Sequence, residues 1–163
     1  MELGLKFLWV CACIFPQIVY NGDMKKKAFV FDLDGTLFET TAQELEHLDG
    51  HARYAEFADV GKLLTESIPR SLVEFAREVQ SEGHDVYILT ARNSIVWRAI
   101  QQLLADHNIL PKYIFTVGDR GFDVPKYKSE ILSQLALTHR TYFFDDDEDN
   151  LSQAPANIRT IKA

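Results

Sequence analysis

At 163 residues with 47% hydrophobic content, the chain holds enough apolar material for one well-buried domain and little for a second. A formal net charge of −7 argues against affinity from bulk attraction to nucleic acid or to an anionic membrane, while a local basic site stays open. Both cysteines, Cys11 and Cys13, fall in the first twenty residues, so the remainder carries neither a disulfide framework nor a thiolate zinc site.

Residues 1–23 read as an apolar extension in front of a single domain spanning 24–163. Leu5 to Tyr20 is apolar but broken by Pro16 and Gln17, and it falls short of the ~20 apolar residues of a spanning helix. Glu2 offsets Lys6 and no A-x-A pattern precedes Asn21, which counts against a secretory signal. Met24, at the head of "MKKKAFVFDLDG", is a second candidate start, so the extension is either a mis-assigned start or a signal-like segment. The expected location is cytoplasmic; a secreted or periplasmic protein, or a membrane contact, is expected only if 1–23 is a genuine signal or anchor.

From Lys27 onward, short apolar runs alternate with segments of helical period. This predicts an α/β fold with a mostly parallel central sheet covered by helices in three Rossmann-like layers. The strand candidates are Ala28–Phe31, Val86–Leu89, Tyr113–Val117 and Thr141–Phe144, with Ile158–Ile161 as a weaker fifth. Runs this continuously apolar are buried on both faces. Residues 39–68 carry mixed charges and no strand pattern, and read as a short insert of one or two helices over the first strand's end. Leu72, Phe75, Ala76 and Val79 recur at helical spacing, with Ser71 and Glu74 as a capping box and Gly83 as the stop. A second helix runs from about Ser94 to His107 and a third starts near Pro125.

Four features fall at the C-terminal ends of the proposed strands or just after them, where the ligand crevice of an open parallel sheet lies. Asp32 and Asp34 follow the first strand, and Thr90, Ala91 and Arg92 the second. "GDRGFDVPKYKSEIL" follows the third and brings Lys128 to the first turn of a helix, and Asp145, Asp146 and Asp147 follow the fourth. Carboxylates converging from two strands are unfavourable without a cation, and a hard ion such as Mg²⁺ suits an all-oxygen site. Thr90 and Lys128 add the hydroxyl donor and the point charge that a phosphate needs. Lys126 competes with Lys128, although "KSEIL" sets the latter into an amphipathic helix.

Plainer readings compete with these. Asp-Gly-Thr is also an ordinary turn, and D-x-D-G opens an EF-hand loop, but no acidic residue follows at the loop's last ligand position. Asp147, Glu148 and Asp149 read as solvent-facing. His47 and His51 are spaced for a metal pair, but Gly50 interrupts the helix they would need, so both read as surface residues. Trp97 reads as packing.

Together the four features resemble the motifs of the haloacid dehalogenase (HAD) superfamily of phosphohydrolases, from Lys27 to about Ala154. The counterparts are D-x-D-G-T-L at Asp32–Leu37, a strand ending in Thr90, the helix-borne Lys128, and D-D-x-x-x-N at Asp145–Asn150. The resemblance implies that Asp32 is the nucleophile of an aspartyl-phosphate mechanism and that Asp34 handles the leaving-group and water protons. It further implies Mg²⁺ held by Asp32, the Asp34 backbone carbonyl and Asp146, with Asp145 as the other candidate. Thr90, Lys128 and the backbone around Gly35 and Thr36 would hold the phosphoryl group.

"TAR" at 90–92 and the stretch around Lys128 look like polynucleotide kinase 3′-phosphatase domains of phage and some nucleotidases, which marks Arg92 and Arg120 for substrate contacts by analogy. The implied substrate is a phosphorylated small molecule, such as a nucleotide, or a nucleic-acid 3′-end. A phosphotransferase or phosphomutase on the same fold, and a non-catalytic binding module, stay as alternatives.

Overall fold

The computed structural model describes residues 25–40, 55, 57–121 and 123–163. The extension 1–23 and the two insert histidines therefore lie outside the described residues. Five strands form one parallel sheet: β1 (Lys27–Phe31), β4 (Asp85–Thr90), β5 (Tyr113–Thr116), β6 (Arg140–Asp145) and β7 (Arg159–Lys162), in the order β5-β4-β1-β6-β7. β2 (Phe38–Glu39) and β3 (Ile68–Pro69) make a separate antiparallel pair.

Side-chain alternation along each strand feeds two cores. Phe29 and Phe31 of β1 and Val86 and Ile88 of β4 face one side. There they meet α2 (Leu72–Ser81) through Val73, Ala76 and Val79, and α3 (Trp97–Asp106) through Ile100, Leu103 and Leu104. Ala28, Val30, Tyr87 and Leu89 face the other side, against Ile131, Leu132 and Ala136 of α4 (Val124–Thr138) and Leu151 of α5 (Glu148–Ser152). Covering both faces is what the uninterrupted apolar strands require. Phe31 and Phe144 stack at 4.7 Å between centroids, with Phe75 tilted against Phe144 at 5.6 Å, so neighbouring strands are locked beneath the ends that carry the acidic residues.

Three local expectations need correction. The capping box on α2 does not form: Ser71 already has helical dihedrals, its side chain makes no cap bond, and the turn begins one residue earlier with Val73 N–H donating to the Arg70 carbonyl. Glu74 pairs with Arg77 instead. The segment 39–68 is not free of strand, because its two ends pair as β2 and β3; within it α1 (Val60–Glu66) is capped by Asp59, whose carboxylate accepts from Lys62 N–H at 3.0 Å. Lys128 sits in the second turn of α4 rather than the first, since the helix starts at Val124.

Two helix ends follow the expected chemistry. α2 ends at Gly83 (φ 82°), with His84 N–H bonded to the Val79 carbonyl, the six-to-one bond of a Schellman motif. α3 ends the same way with Asn108 at φ 57° and Ile109 N–H on the Leu104 carbonyl. Each stop gives a carbonyl of the last helical turn a backbone donor and turns the chain toward the next strand.

Candidate active site

The C-terminal ends of β1, β4 and β6 lie side by side because all three run parallel in adjacent positions. The chain leaves β1 through a turn pinned by Leu33 and Leu37, both fully buried, with Leu37 N–H and Phe38 N–H converging on the Leu33 carbonyl. Gly35 takes φ 77° in this turn, a left-handed conformation that favours glycine.

Asp32 and Asp145 are buried, and Lys128, 1% exposed, reaches between them with 2.7 Å bonds to Asp32 Oδ1 and Asp145 Oδ2. Burial pushes the Asp32 carboxyl well above the ordinary range; Lys128 pulls it back, while Asp145 and Asp34 push it further up. For Lys128, burial works against the charge, but the two carboxylates outweigh it and hold the ammonium charged. Lys126, the rival lysine, is exposed with its ammonium 5.8 Å from the Tyr127 ring.

Asp145 has little capacity left. Its Oδ1 accepts from Asp147 N–H at 2.9 Å and Asn150 Nδ2 at 3.1 Å, and its Oδ2 from Lys128 and Asn150 Nδ2. Asp146 is half-buried and accepts from the Thr36 hydroxyl at 3.4 Å. One carboxylate oxygen from each of Asp32, Asp145 and Asp146 lies within 4.8 Å of the others. Counting Asp34, four carboxylates face two cations, Lys128 and Arg92, which leaves a formal charge of −2 that a divalent ion would balance. The residues present therefore fit a hard divalent cation, with Asp32 and Asp146 the better-placed donors.

Asp34 lies beside this cluster, 12% exposed and firmly held. Arg92, 2% exposed, donates from Nη2 to Asp34 Oδ1 at 2.7 Å and from Nε to both oxygens at 3.0–3.1 Å. The Thr40 hydroxyl adds a bond to Oδ1 at 2.6 Å. Arg92 Nη1 reaches the Phe57 carbonyl at 2.9 Å, and its guanidinium lies 5.4 Å from that ring's centroid. Arg92, expected at the substrate, is thus fully engaged with Asp34 and the insert. The Thr90 hydroxyl is buried and accepts from Arg92 N–H at 3.1 Å, which leaves its own O–H to donate, whereas Gly35 N–H is committed to the Phe38 carbonyl at 2.7 Å.

The loop 90–93 packs on Gly118: a Cβ there would sit 2.2 Å from Asn93 Oδ1 and 2.3 Å from the Ala91 carbonyl oxygen. Arg120 is not in the carboxylate cluster. It pairs loosely with Glu130 at 3.7 Å and borders a cavity of about 380 Å³ along β5, lined also by Ser94, Trp97, Tyr113 and Thr116. Trp97 is half-buried, with Nε1–H donating to the Ile114 carbonyl at 3.3 Å, in line with its expected packing role.

Sequence reasoning did not find the Arg92–Asp34 clamp, Thr40 or the Phe57 carbonyl. A buried arginine two residues beyond a strand end has to find a carboxylate, and Asp34 is the neighbour that the strand order offers; that was the available signal. Nothing in the sequence singles out Thr40 or Phe57.

No protein-family model matches the chain, and no curated protein matches it. Solved structures do. A chain of the Pnkp1/Rnl/Hen1 complex superposes with a TM-score of 0.57 at 16% identity, covering 86% of this chain and 46% of its own length. A HAD-superfamily hydrolase of subfamily IA from Geobacter sulfurreducens gives 0.56 at 16% identity, covering 84% of this chain and 89% of its own. A HAD family enzyme from Bacteroides thetaiotaomicron, an aspartate-to-alanine mutant in complex with magnesium and inorganic phosphate, gives 0.54 at 14% identity, with 84% and 93% covered. The chain spans less than half the length of the Pnkp1-complex chains that it matches. Five parallel strands in this order, two helical layers and these structural neighbours show that the chain has the fold of the haloacid dehalogenase-superfamily hydrolases.

Proposed function

We propose that residues 24–163 form one catalytic domain, a Mg²⁺-dependent phosphomonoester hydrolase that works through Asp32. The observation that carries this reading is the buried Asp32 carboxylate, held 2.7 Å from Lys128 and grouped with Asp145 and Asp146 at the strand ends. Mg²⁺ on Asp32, Asp146 and the Asp34 carbonyl would neutralise phosphoryl oxygens and offset the repulsion between an anionic nucleophile and an anionic substrate.

In the first step an Asp32 oxygen attacks phosphorus and the bond to the leaving oxygen breaks, giving an aspartyl-phosphate and an alcohol. The alcohol takes its proton from Asp34. Oδ1 of Asp34 accepts three hydrogen bonds and Oδ2 accepts one, so Oδ2 is the oxygen free to carry that proton. In the second step Asp34 takes a proton from water as that water attacks phosphorus, releasing inorganic phosphate and restoring Asp32. Lys128 screens Asp32 and Asp145 from each other and presents its charge to the phosphoryl group, and Thr90 and the turn around Gly35 and Thr36 form the floor.

The substrate in this reading is a nucleotide or a nucleic-acid 3′-phosphate in a cytoplasmic setting. Two observations support it: the cavity beside Arg120, which brings aromatic rings and a cation together, and the likeness to a chain from an RNA repair complex. Among the described residues no helix is long and apolar enough to cross a membrane.

The test is phosphate release from an aryl phosphate, nucleotides and 3′-phosphorylated oligonucleotides, with and without Mg²⁺. Asp32→Asn keeps the Lys128 hydrogen bond and removes the nucleophile, so it should abolish turnover while the protein stays folded. Undiminished activity in that variant would refute the mechanism.

A further inference from the structure

The opposite end of the sheet carries the reverse charge. Lys25 and Lys26 precede β1 and Lys27 opens it; Arg140 opens β6, Arg159 opens β7, and Lys112 precedes β5. The ladders set Lys27 beside Arg140 and Tyr142 beside Arg159. Both guanidinium groups lie over the Tyr142 ring, at 5.8 and 6.0 Å, and that ring stacks on Phe29 at 5.1 Å, so the two arginines are held close together.

Lys26 and Lys112 bond the buried Asp85 at 2.6 and 2.9 Å, and Lys25 donates to the Ala136 carbonyl at 3.4 Å. Among the described residues Lys27, Arg140 and Arg159 have no carboxylate partner, although all three are exposed. Elsewhere on the surface Arg77, Arg120 and Lys162 are each paired with a glutamate, and the other exposed cations without a carboxylate partner among the described residues, Arg70, Arg98 and Lys126, lie singly in separate parts of the chain. In a chain of net charge −7, this end of the sheet gathers those three unpaired cations, with Glu82, beside His84, as the exposed acid on the approach to β4. Strands of five to six residues set it about 17–20 Å from the carboxylate cluster.

We propose that this end of the sheet docks on anionic lipid headgroups, so that the protein rests on a negatively charged membrane with the candidate active site turned to solvent. In the sequence the apolar run Leu5–Tyr20 ends five residues before Lys25, so a hydrophobic segment and the lysines of this face are near neighbours along the chain. Reversible attachment needs an apolar signal and a basic one together, and here the two adjoin. A nucleic-acid strand fits the face less well. Tyr142 is already covered by the two guanidinium groups and Phe29, so the ring at the centre of the cluster is not open to a base. Tyr113, the exposed ring at this end, lies apart on the edge strand β5, and a phosphate bound here is not delivered to Asp32.

The full chain is sedimented with phosphatidylcholine vesicles, with and without about 30% phosphatidylserine, at low salt and in about 0.5 M NaCl. The bound fraction is expected to rise at least about ten-fold with phosphatidylserine and to fall back at high salt. It should also fall back in the triple variant Lys27→Glu, Arg140→Glu, Arg159→Glu, with hydrolysis of a soluble aryl phosphate unchanged. If that variant does not fold, Arg140→Gln with Arg159→Gln removes charge without adding repulsion and carries the same expectation. Equal sedimentation with and without phosphatidylserine overturns the proposal, as does undiminished binding by the charge variants. Retention on single-stranded RNA with no response to phosphatidylserine overturns it in favour of a nucleic-acid surface.

Discussion

Replacing Lys128 by methionine tests the electrostatics of the site apart from its chemistry. The side chain is 1% exposed and holds two carboxylates that are themselves buried, Asp32 and Asp145, at 2.7 Å each. Methionine fills similar volume but leaves like charges facing each other in a medium that solvates neither. Removing one partner of a buried pair costs about 3–5 kcal/mol. Burial already raises the Asp32 carboxyl, and without Lys128 nothing lowers it. A carboxyl raised in the folded state favours folding below its ordinary value, and that benefit disappears as pH rises through the raised one. The penalty is therefore largest near neutrality and shrinks toward about pH 4, where Asp32 is protonated in both states. Urea unfolding of wild type and Lys128→Met at about pH 7.5 and pH 5 measures both numbers. Millimolar Mg²⁺ should restore more stability to the variant than to wild type, because the divalent ion then faces an uncompensated pair of carboxylates. A loss below about 1 kcal/mol, or a loss independent of pH, would refute the account of Lys128 as the charge that permits Asp32 and Asp145 to be buried together.

Other outcomes follow from the same geometry. Arg92→Gln should lower kcat at least about ten-fold, and more for an alkyl phosphate than for nitrophenyl phosphate, because in the proposed mechanism only the poorer leaving group depends on a proton from Asp34. An equal loss on both substrates would place Arg92 on the phosphate instead. Gly118→Ala should destabilise the protein by about 1–3 kcal/mol and lower activity, since its Cβ would meet the Asn93 side chain and the Ala91 carbonyl; thermal unfolding with kinetics checks it. Burial alone would raise Asp85, but hydrogen bonds from Lys26, Lys112 and His139 hold it at about 2, against 3.8 normally. That stability is full above the ordinary value and lost as pH falls through about 2. Asp85→Asn should thus cost roughly 1–2 kcal/mol at neutral pH, with the lysines' exposure trimming the figure, and almost nothing near pH 2 in denaturation curves.

The parallel sheet and its helical layers were legible because both-face burial writes itself as unbroken apolar runs, and "AFVF", "VYIL" and "TYFF" all lie in the central strands. The grouping of Asp32, Asp145 and Lys128 was legible for a related reason: parallel strands bring every C-terminal end to one edge, so position along the chain maps onto position in space. The roles within the group were not. Whether an arginine meets a substrate or a neighbouring aspartate depends on side-chain reach across two strands, and Arg92 turned inward. Which contacts a threonine hydroxyl makes depends on the turn that follows, and Thr90 accepts from the amide of Arg92, a bond that nothing in the sequence announces. The failed capping box on α2 has the same origin, because the helix started one residue before the motif that was to begin it.

The short ladder of β2 and β3 closes the insert at its root, with Phe38 opposite Pro69 and Glu39 opposite Ile68. A loop whose ends are already tied can change length cheaply, since each doubling adds only about 0.6 kcal/mol of closure entropy. Changes of length between them therefore load the closure entropy only lightly, and α1, whose Leu63 is buried in the core, is the part that has to stay. Two tethers limit any exchange: α1 must keep Leu63 in the core, and the segment must still supply a carbonyl to Arg92 where Phe57 does now, since Arg92 in turn holds Asp34. Grafting foreign inserts between Thr40 and Phe57 while keeping both contacts is accordingly the economical way to alter the insert without disturbing the sheet.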